Sequence, residues 1–440
     1  YKPYDSSQTL SKLPTVSKAD ALNTANAFIL KVNPSTYGKI KYQDNNQIVN
    51  IGETNYYFNY VRIENDIPLY GNSINISVNN RTGEVQNYNC EWTDDITFPD
   101  SNGLITLDKA KQVYMDKLGL KLMYKLNYDQ NTQKPYLVYS QVYNNRSIDA
   151  KTAEVVDITP YYGGHMYDEK GMGAGQAKSD TKNMADLTPE EKKAVEKASN
   201  LINETKAEEA ARKILNIDSS YVLSSNNLYN NYSNKGEYVW YMYFVKDNKD
   251  KTDRYYYASA SIDASTCEVL SFDKTLPYNP EAVAKYNREQ CINIAKELIK
   301  SLQPNKVDSV EFTEWDNNNI EPLQNGELPK NYYFTFTRKA DGIYFPGNGF
   351  NMYIDATQGI VTSYNFNWYK GELPASTNVI SASKAHESLF SNLGLELQYV
   401  VDYSKNINGK FSPIPLENEK PDIRLVYSIK PNKPINIDAM

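Results

Sequence analysis

Two histidines, His165 and His386, are all the chain offers for imidazole-based catalysis or zinc binding. His386 is followed by Glu387, but the pair leads into Ser388, Leu389 and Phe390 with no second histidine one helical turn on. The H-E-x-x-H zinc pattern, which needs both imidazoles on one helix face, is therefore absent. No G-x-S-x-G elbow occurs, and a serine or cysteine nucleophile without a placed imidazole lacks its base. Gly171–Gln176 (GMGAGQ) has the glycines of a phosphate loop but neither its lysine nor a preceding strand, and reads as linker. Asp247–Asp253 (DNKDKTD) matches a calcium loop only in composition; an exposed hairpin tip is the simpler reading. Carboxylates are plentiful enough for a glycosidase pair, yet no spacing singles two of them out. No catalytic residue, metal ligand or cofactor is expected.

One cluster rises above this background. Arg62 and Arg338 each fall within a strand-like pattern, shortly before IPLYGN (Ile67–Asn72) and IYFPGN (Ile343–Asn348). A guanidinium that returns at equivalent places can hold a carboxylate or a phosphate. The simpler alternative is an ion pair within the sheet, or an arginine lying over tyrosine rings. Arg62, Arg338, Tyr70, Asn72 and Asn348 are the candidate binding residues.

The equivalence follows from an internal repeat, which is the most informative property of the chain. Tyr56–Trp92 aligns without a gap on Tyr332–Trp368, placing Arg62 on Arg338, Asn72 on Asn348, Gly83 on Gly359 and Trp92 on Trp368. After one deletion Asp108–Tyr124 falls on Ser383–Tyr399, and the LVYS at Leu137 recurs at Leu425. The large repeat is expected to cover 18–159 and 287–440. Because the sequence stops at Met440 inside an I-D-A turn, the second copy is expected to lack its last strand. Residues 160–187 read as a glycine-rich linker, and 188–275 as a middle module similar to the back half of the large repeat.

The elements that would position these residues are legible from period and caps. Ala21, Ala25, Phe28 and Ile29 have helical spacing, as do Cys291, Ala295, Leu298 and Ile299 in the second copy. Cys291 thus reads as a buried, inert thiol. Later helices are expected to start at Thr106 and Ser381 and to end at Gly119 and Gly394. His386 aligns with Lys111, which predicts an exposed position on that helix. The middle module is expected to open with a capping box at Thr188 and Glu191 and a second at Thr205 and Glu208. Alternation such as Tyr56, Phe58 and Tyr60 predicts antiparallel strands with one face covered by helices. A turn recurs at Asn79, Asp149, Asp263 and Asp355, with Gly83 and Gly359 in the fifth position suiting a left-handed residue. Ala153 and Cys267 stand there in the other two, so these either accept strain or use another turn.

At 440 residues two to four modules are expected. A net charge of −7 argues against nucleic acid as the partner, and no apolar run is long enough for a transmembrane segment. The opening Tyr1 predicts a removed leader, while three cysteines do not decide the compartment. Tyrosine, at 38 residues against 13 Phe, suits half-exposed sheet faces.

The run YFNYVRIENDIPLYGNSINISVNNRTGEV (Tyr57–Val85) resembles the first propeptide module of thermolysin-type secreted metalloproteases. Leu104–Ile158 looks like the PepSY module that follows it, and the tandem order is most similar to the YcdB/YcdC-type repeat proteins of Gram-positive bacteria. Ala153, Cys267 and Pro346 depart from the pattern. The resemblance implies an α+β fold of tandem modules, antiparallel sheet packed on helices in the PepSY/cystatin-like manner. It also implies a non-enzymatic protein, secreted or held at the cell envelope, that binds a secreted protease or a peptide; the tandem modules and tyrosine-rich faces suit a cell-wall component equally. A trans-acting protease regulator is the first functional expectation, and a structural or wall-binding spacer the second.

Overall fold

A computed structural model describes residues 13–44, 53–129, 132–143, 146–158, 200–231, 237–246, 256–277, 279, 281–313, 328–402, 422–430 and 435–440. The first repeat contributes α1 (Lys18–Val32), α2 (Pro34–Tyr37), β1 (Ile40–Gln43), β2 (Asn55–Glu64), β3 (Ile67–Asn79) and β4 (Val85–Glu91). It continues with α3 (Leu107–Val113), which passes into a π turn over Tyr114–Leu118, then β5 (Leu120–Asp129), β6 (Thr132–Gln141), β7 (Arg146–Asp149) and β8 (Val155–Asp157). The middle region adds α4 (Glu204–Leu215), β9 (Tyr221–Asn230), β10 (Tyr238–Lys246), β11 (Tyr257–Asp263) and β12 (Val269–Lys274). The second repeat holds α5 (Arg288–Leu302), β13 (Val310–Phe312), β14 (Asn331–Ala340), β15 (Ile343–Asp355) and β16 (Ile360–Asn367). It ends with α6 (Ala382–Asn392), β17 (Leu395–Asp402), β18 (Asp422–Ile429) and β19 (Asn436–Asp438). This is the α+β architecture expected from the alternating patterns.

Side-chain oxygens start the helices by taking backbone N–H groups that no helical carbonyl can reach. Ser17 accepts from Asp20, Thr106 from Lys109, and Asn287 forms a capping box with Gln290. The cap of α4 is Asn203, not Thr205: its side chain accepts from the Lys206 amide, and Glu208 pairs instead with Arg212 at 2.8 Å. The helix expected from Thr188, the GMGAGQ and DNKDKTD stretches and His165 lie outside the described residues.

The recurring turn takes one form throughout. Asn79, Asp149, Asp263 and Asp355 each accept from the amides two and three residues on. The fifth position is left-handed in all four, with φ of 73° at Gly83, 63° at Ala153, 63° at Cys267 and 69° at Gly359. Ala153 and Cys267 therefore carry the steric cost that glycine avoids.

Two compact units result, each drawing on both repeats. The first comprises Tyr1–Leu120, Gln141–His165 and Ser383–Ile435. Its sheet runs β1-β2-β3-β17-β18-β7-β8, with β4 also on β3. Ala21, Ala25 and Ile29 of α1 are fully buried against Tyr56, Phe58, Tyr60, Ile74, Ile76 and Val78; the two alanines let the helix lie close to the strands. The second unit comprises Lys121–Ser140, Met166–Ala382 and Asn436–Met440. Its sheet runs β19-β6-β5-β15-β16-β12-β11-β10-β9, with β14 on the far side of β15 and β13 beyond it. Both α4, through Ala207, Ala211 and Leu215, and α5, through Cys291, Ala295 and Ile299, bury their small apolar stripes in the core of this sheet.

Antiparallel pairing prevails, but among the described residues two joins are parallel: β3 to β17, with Leu69 opposite Tyr399, and β15 to β5, with Tyr344 opposite Met123. Hence β17 and β18 of the second repeat sit between β3 and β7 of the first. In turn β5 and β6 of the first sit between β15 and β19 of the second. Among the described residues no helix is long and apolar enough to cross a membrane.

Candidate functional site

The candidate arginines stand where the long hairpins break register. On β2 and β3, Val61 faces Ser73 but Arg62 faces Leu69, so Tyr70, Gly71 and Asn72 bulge out of the ladder. On β14 and β15, Thr337 faces Gly349 and Arg338 faces Phe345, which sets Pro346, Gly347 and Asn348 in the same bulge. A bulge of this kind re-aims side chains that a regular strand would alternate between faces.

In the first unit the bulge closes around Arg62, which is 5% exposed. Its Nε and Nη2 donate to Glu64 Oε1 at 3.1 and 2.8 Å, and its Nη1 donates to Asn72 Oδ1 and the Thr93 carbonyl at 3.1 and 2.9 Å. The guanidinium lies 4.5 Å from the Trp92 ring centroid and 4.9 Å from that of Phe98. Asn72 is also bound, accepting from the Thr93 amide and donating to the Thr93 hydroxyl. Burial works to raise the Glu64 carboxyl, but hydrogen bonds from Arg62 and Lys39 prevail and hold it below the usual carboxylate range. Tyr70 points elsewhere, donating to Glu396 Oε1 on β17 at 2.9 Å. Burial, then that bond, pushes its phenol pKa up. Arg62 and Asn72 thus form one self-satisfied polar cluster.

The second unit repeats the frame with different occupants. Arg338 Nη1 donates to the Tyr369 carbonyl at 2.8 Å, and the guanidinium lies 4.3 Å from the Trp368 centroid. Asn348 is buried and accepts from the Tyr369 amide at 2.6 Å. Ala340 stands where Glu64 stands in the first repeat. Among the described residues no carboxylate pairs with the half-buried Arg338, and burial pulls its pKa below the usual guanidinium value. Where the Arg62 guanidinium makes four hydrogen bonds, that of Arg338 makes one among the described residues.

His386 corrects the expectation of a solvated residue. It is 7% exposed, and its Nε2 accepts the Leu120 amide at 3.0 Å. The start of β5 needs an acceptor there, and the aligned Lys111 could not have indicated one. The thiols Cys90, Cys267 and Cys291 are free. Burial pushes the Cys291 thiol up to about 11, consistent with an inert core position. Among the described residues no group of His, Cys, Asp and Glu could hold a metal ion.

Two further surfaces, of the exposed-edge and tyrosine-rich kinds that the composition favours, are formed by the second sheet. Strand β9 is hydrogen-bonded to β10 on one side and, among the described residues, to no strand on the other. On the face of the second sheet turned away from α4 and α5, Tyr243 stacks between Tyr241 and Tyr257, and Tyr333 lies 4.6 Å from Tyr353. Nearby, Thr335 Oγ1 donates to Asn351 Oδ1 at 3.0 Å.

A comparison with curated proteins found no match. Among solved structures the chain is similar to the Bacillus megaterium YpeB C-terminal domain, at 14% identity and a TM-score of 0.29, over 53% of this chain and 89% of that one. The family model of the YcdB, YcdC repeated domain matches residues 4–92 and 204–368, more than half of the sequence, and the chain belongs to that family.

Proposed function

We propose that the protein is a non-enzymatic binding protein of the extracellular space or cell envelope. In this reading it regulates a secreted protease in trans by taking an extended peptide segment onto a sheet edge. The observation that carries the proposal is β9. Its ten residues, YVLSSNNLYN, contain neither charge nor proline, the devices that usually blunt an edge. Val222 is 58% exposed and Leu228 42%, so the strand offers apolar side chains as well as a backbone edge that pairs with no strand among the described residues. Strand addition draws affinity from main-chain hydrogen bonds and selectivity from alternate side chains. The protease enters through the resemblance of Tyr57–Val85 and Leu104–Ile158 to propeptide modules, in a chain without the zinc motif. The test is the V222K/L228K double variant, whose substitutions touch only exposed positions. Binding of a secreted neutral metalloprotease from the same organism should fall at least about tenfold while the melting temperature stays put. Wild-type protein that neither binds nor slows such a protease would end the proposal.

A second reading, a structural or cell-wall-binding spacer, is favoured by the tyrosine, asparagine and threonine face described above. Planar rings beside amides and hydroxyls suit polysaccharide as well as peptide. Retention on purified peptidoglycan, lost on Tyr353→Ala and Tyr333→Ala together, would select it over the first.

A further inference from the structure

The groups that seat the hairpins β5–β6 and β17–β18 are the same in both repeats, with the roles reversed. Tyr399 lies opposite Leu69 and its hydroxyl donates to the Pro99 carbonyl at 3.3 Å. Its counterpart Tyr124 lies 5.7 Å from Phe345, ring to ring, and donates to the Pro374 carbonyl at 3.2 Å. The Tyr427 hydroxyl donates to the Ile105 carbonyl at 3.1 Å, and that of Tyr139 to the Ile380 carbonyl at 2.9 Å. The Ala150 amide donates to Leu425 at 2.9 Å, and the Ala439 amide to Leu137 at 3.2 Å. In the repeat alignment Tyr124 matches Tyr399, Pro99 matches Pro374, Ile105 matches Ile380 and Tyr139 matches Tyr427. Each contact therefore joins one repeat to the other, and each occurs twice. Tyr124, Tyr399, Leu137 and Leu425 are all at most 3% exposed, so these are core contacts.

Reciprocal contacts of this kind are the mark of closed two-fold association, in which residue i meets j and j meets i. Here the association takes place within one chain. We infer that the repeat is a pairing unit whose recognised partner is a second copy of the same repeat. The slot between the long strand of a repeat and its closing turn takes the hairpin of another copy. Neither 18–159 nor 287–440 completes its sheet without the other. Tandem duplication supplies the partner on the same chain, which makes the pairing intramolecular. The inference is independent of what β9 or the tyrosine face binds.

The test uses the full chain with a site-specific protease sequence inserted between Gly171 and Gln176. After native cleavage the two fragments should co-elute at the uncut size and part only in denaturant. Two double-cysteine variants then separate exchange from simple adhesion. Ser140 faces Asn436 across β6 and β19, whereas an unexchanged β6 would face Ser147, which aligns with Asn436. After mild oxidation, S140C/N436C should link the two fragments in a reductant-sensitive band, and S140C/S147C should form no bond. Peptide mapping distinguishes both from the natural thiols. Cleaved fragments that separate while folded, or a disulfide in S140C/S147C instead, would overturn the inference. If neither pair oxidises, the elution result decides.

Discussion

The Nε2 of His386 accepts the backbone N–H of Leu120 at 3.0 Å, so a side chain of the second repeat satisfies the first residue of β5 in the first. Both residues are buried, and water cannot replace the acceptor without opening the contact with Tyr114 and Phe390. His386→Ala should destabilise the protein by about 1–3 kcal/mol, the cost of a buried unpaired donor. Lys111→Ala, at the aligned position, loses a contact over the Phe390 ring and should cost less than about 1 kcal/mol. Denaturant unfolding of both variants checks the ranking.

The two arginines should differ in the same kind of assay. Lysine cannot reproduce the Nε and Nη2 fork on Glu64, so Arg62→Lys should cost about 1–3 kcal/mol. Arg338→Lys gives up one carbonyl bond and part of a stack on Trp368, and should cost clearly less. Equal losses in thermal melts would refute the assignment of Arg62 to structure.

Glu64 sets an acid dependence. Its folded pKa is depressed, so its contribution is fully present above the unfolded value and is lost as pH falls through the folded one. The stability gap between wild type and Glu64→Gln should be constant at neutral pH and shrink once pH drops below about 4.5, the ordinary value for the group. Urea unfolding of the pair from pH 7 to 3 measures it, and a gap that never changes would refute the linkage.

The left-handed alanine offers a gain. At φ 63° Ala153 bears about 1–2 kcal/mol of steric cost. Part of the relief is offset by the extra unfolded-state entropy of glycine. Ala153→Gly should therefore stabilise by up to about 1 kcal/mol, and Gly83→Ala should do the reverse, read from unfolding midpoints.

Much of this architecture was legible because it is local. Period-two tyrosines, alanine-spaced helices, the Thr106 cap and the Asx turns each depend on neighbours within a few residues, and each formed as patterned. The strand partners depend on something else. Each hairpin carries the same tyrosine and leucine contacts, so Tyr124 and Tyr399 fit either slot, and alternation does not say which slot is taken. The same limit hid His386, whose acceptor role depends on Leu120, a residue 266 positions away in sequence. At α4 the misreading was local: Asn203 and Thr205 are both good caps, and the earlier one won because its oxygen reaches the Lys206 amide. The arginine pair was visible as a pattern, and both hairpins bulge beside it; only the Glu64 contact, against Ala340 in the second copy, separates the two clusters.

The exchanged hairpins also decide how damage is inherited. A lesion in β5 or β6 belongs by gene position to the first repeat, yet its phenotype falls on the sheet built from the second. Deleting either repeat removes strands from both sheets at once. The map from residue to damaged sheet therefore runs crosswise to the primary sequence.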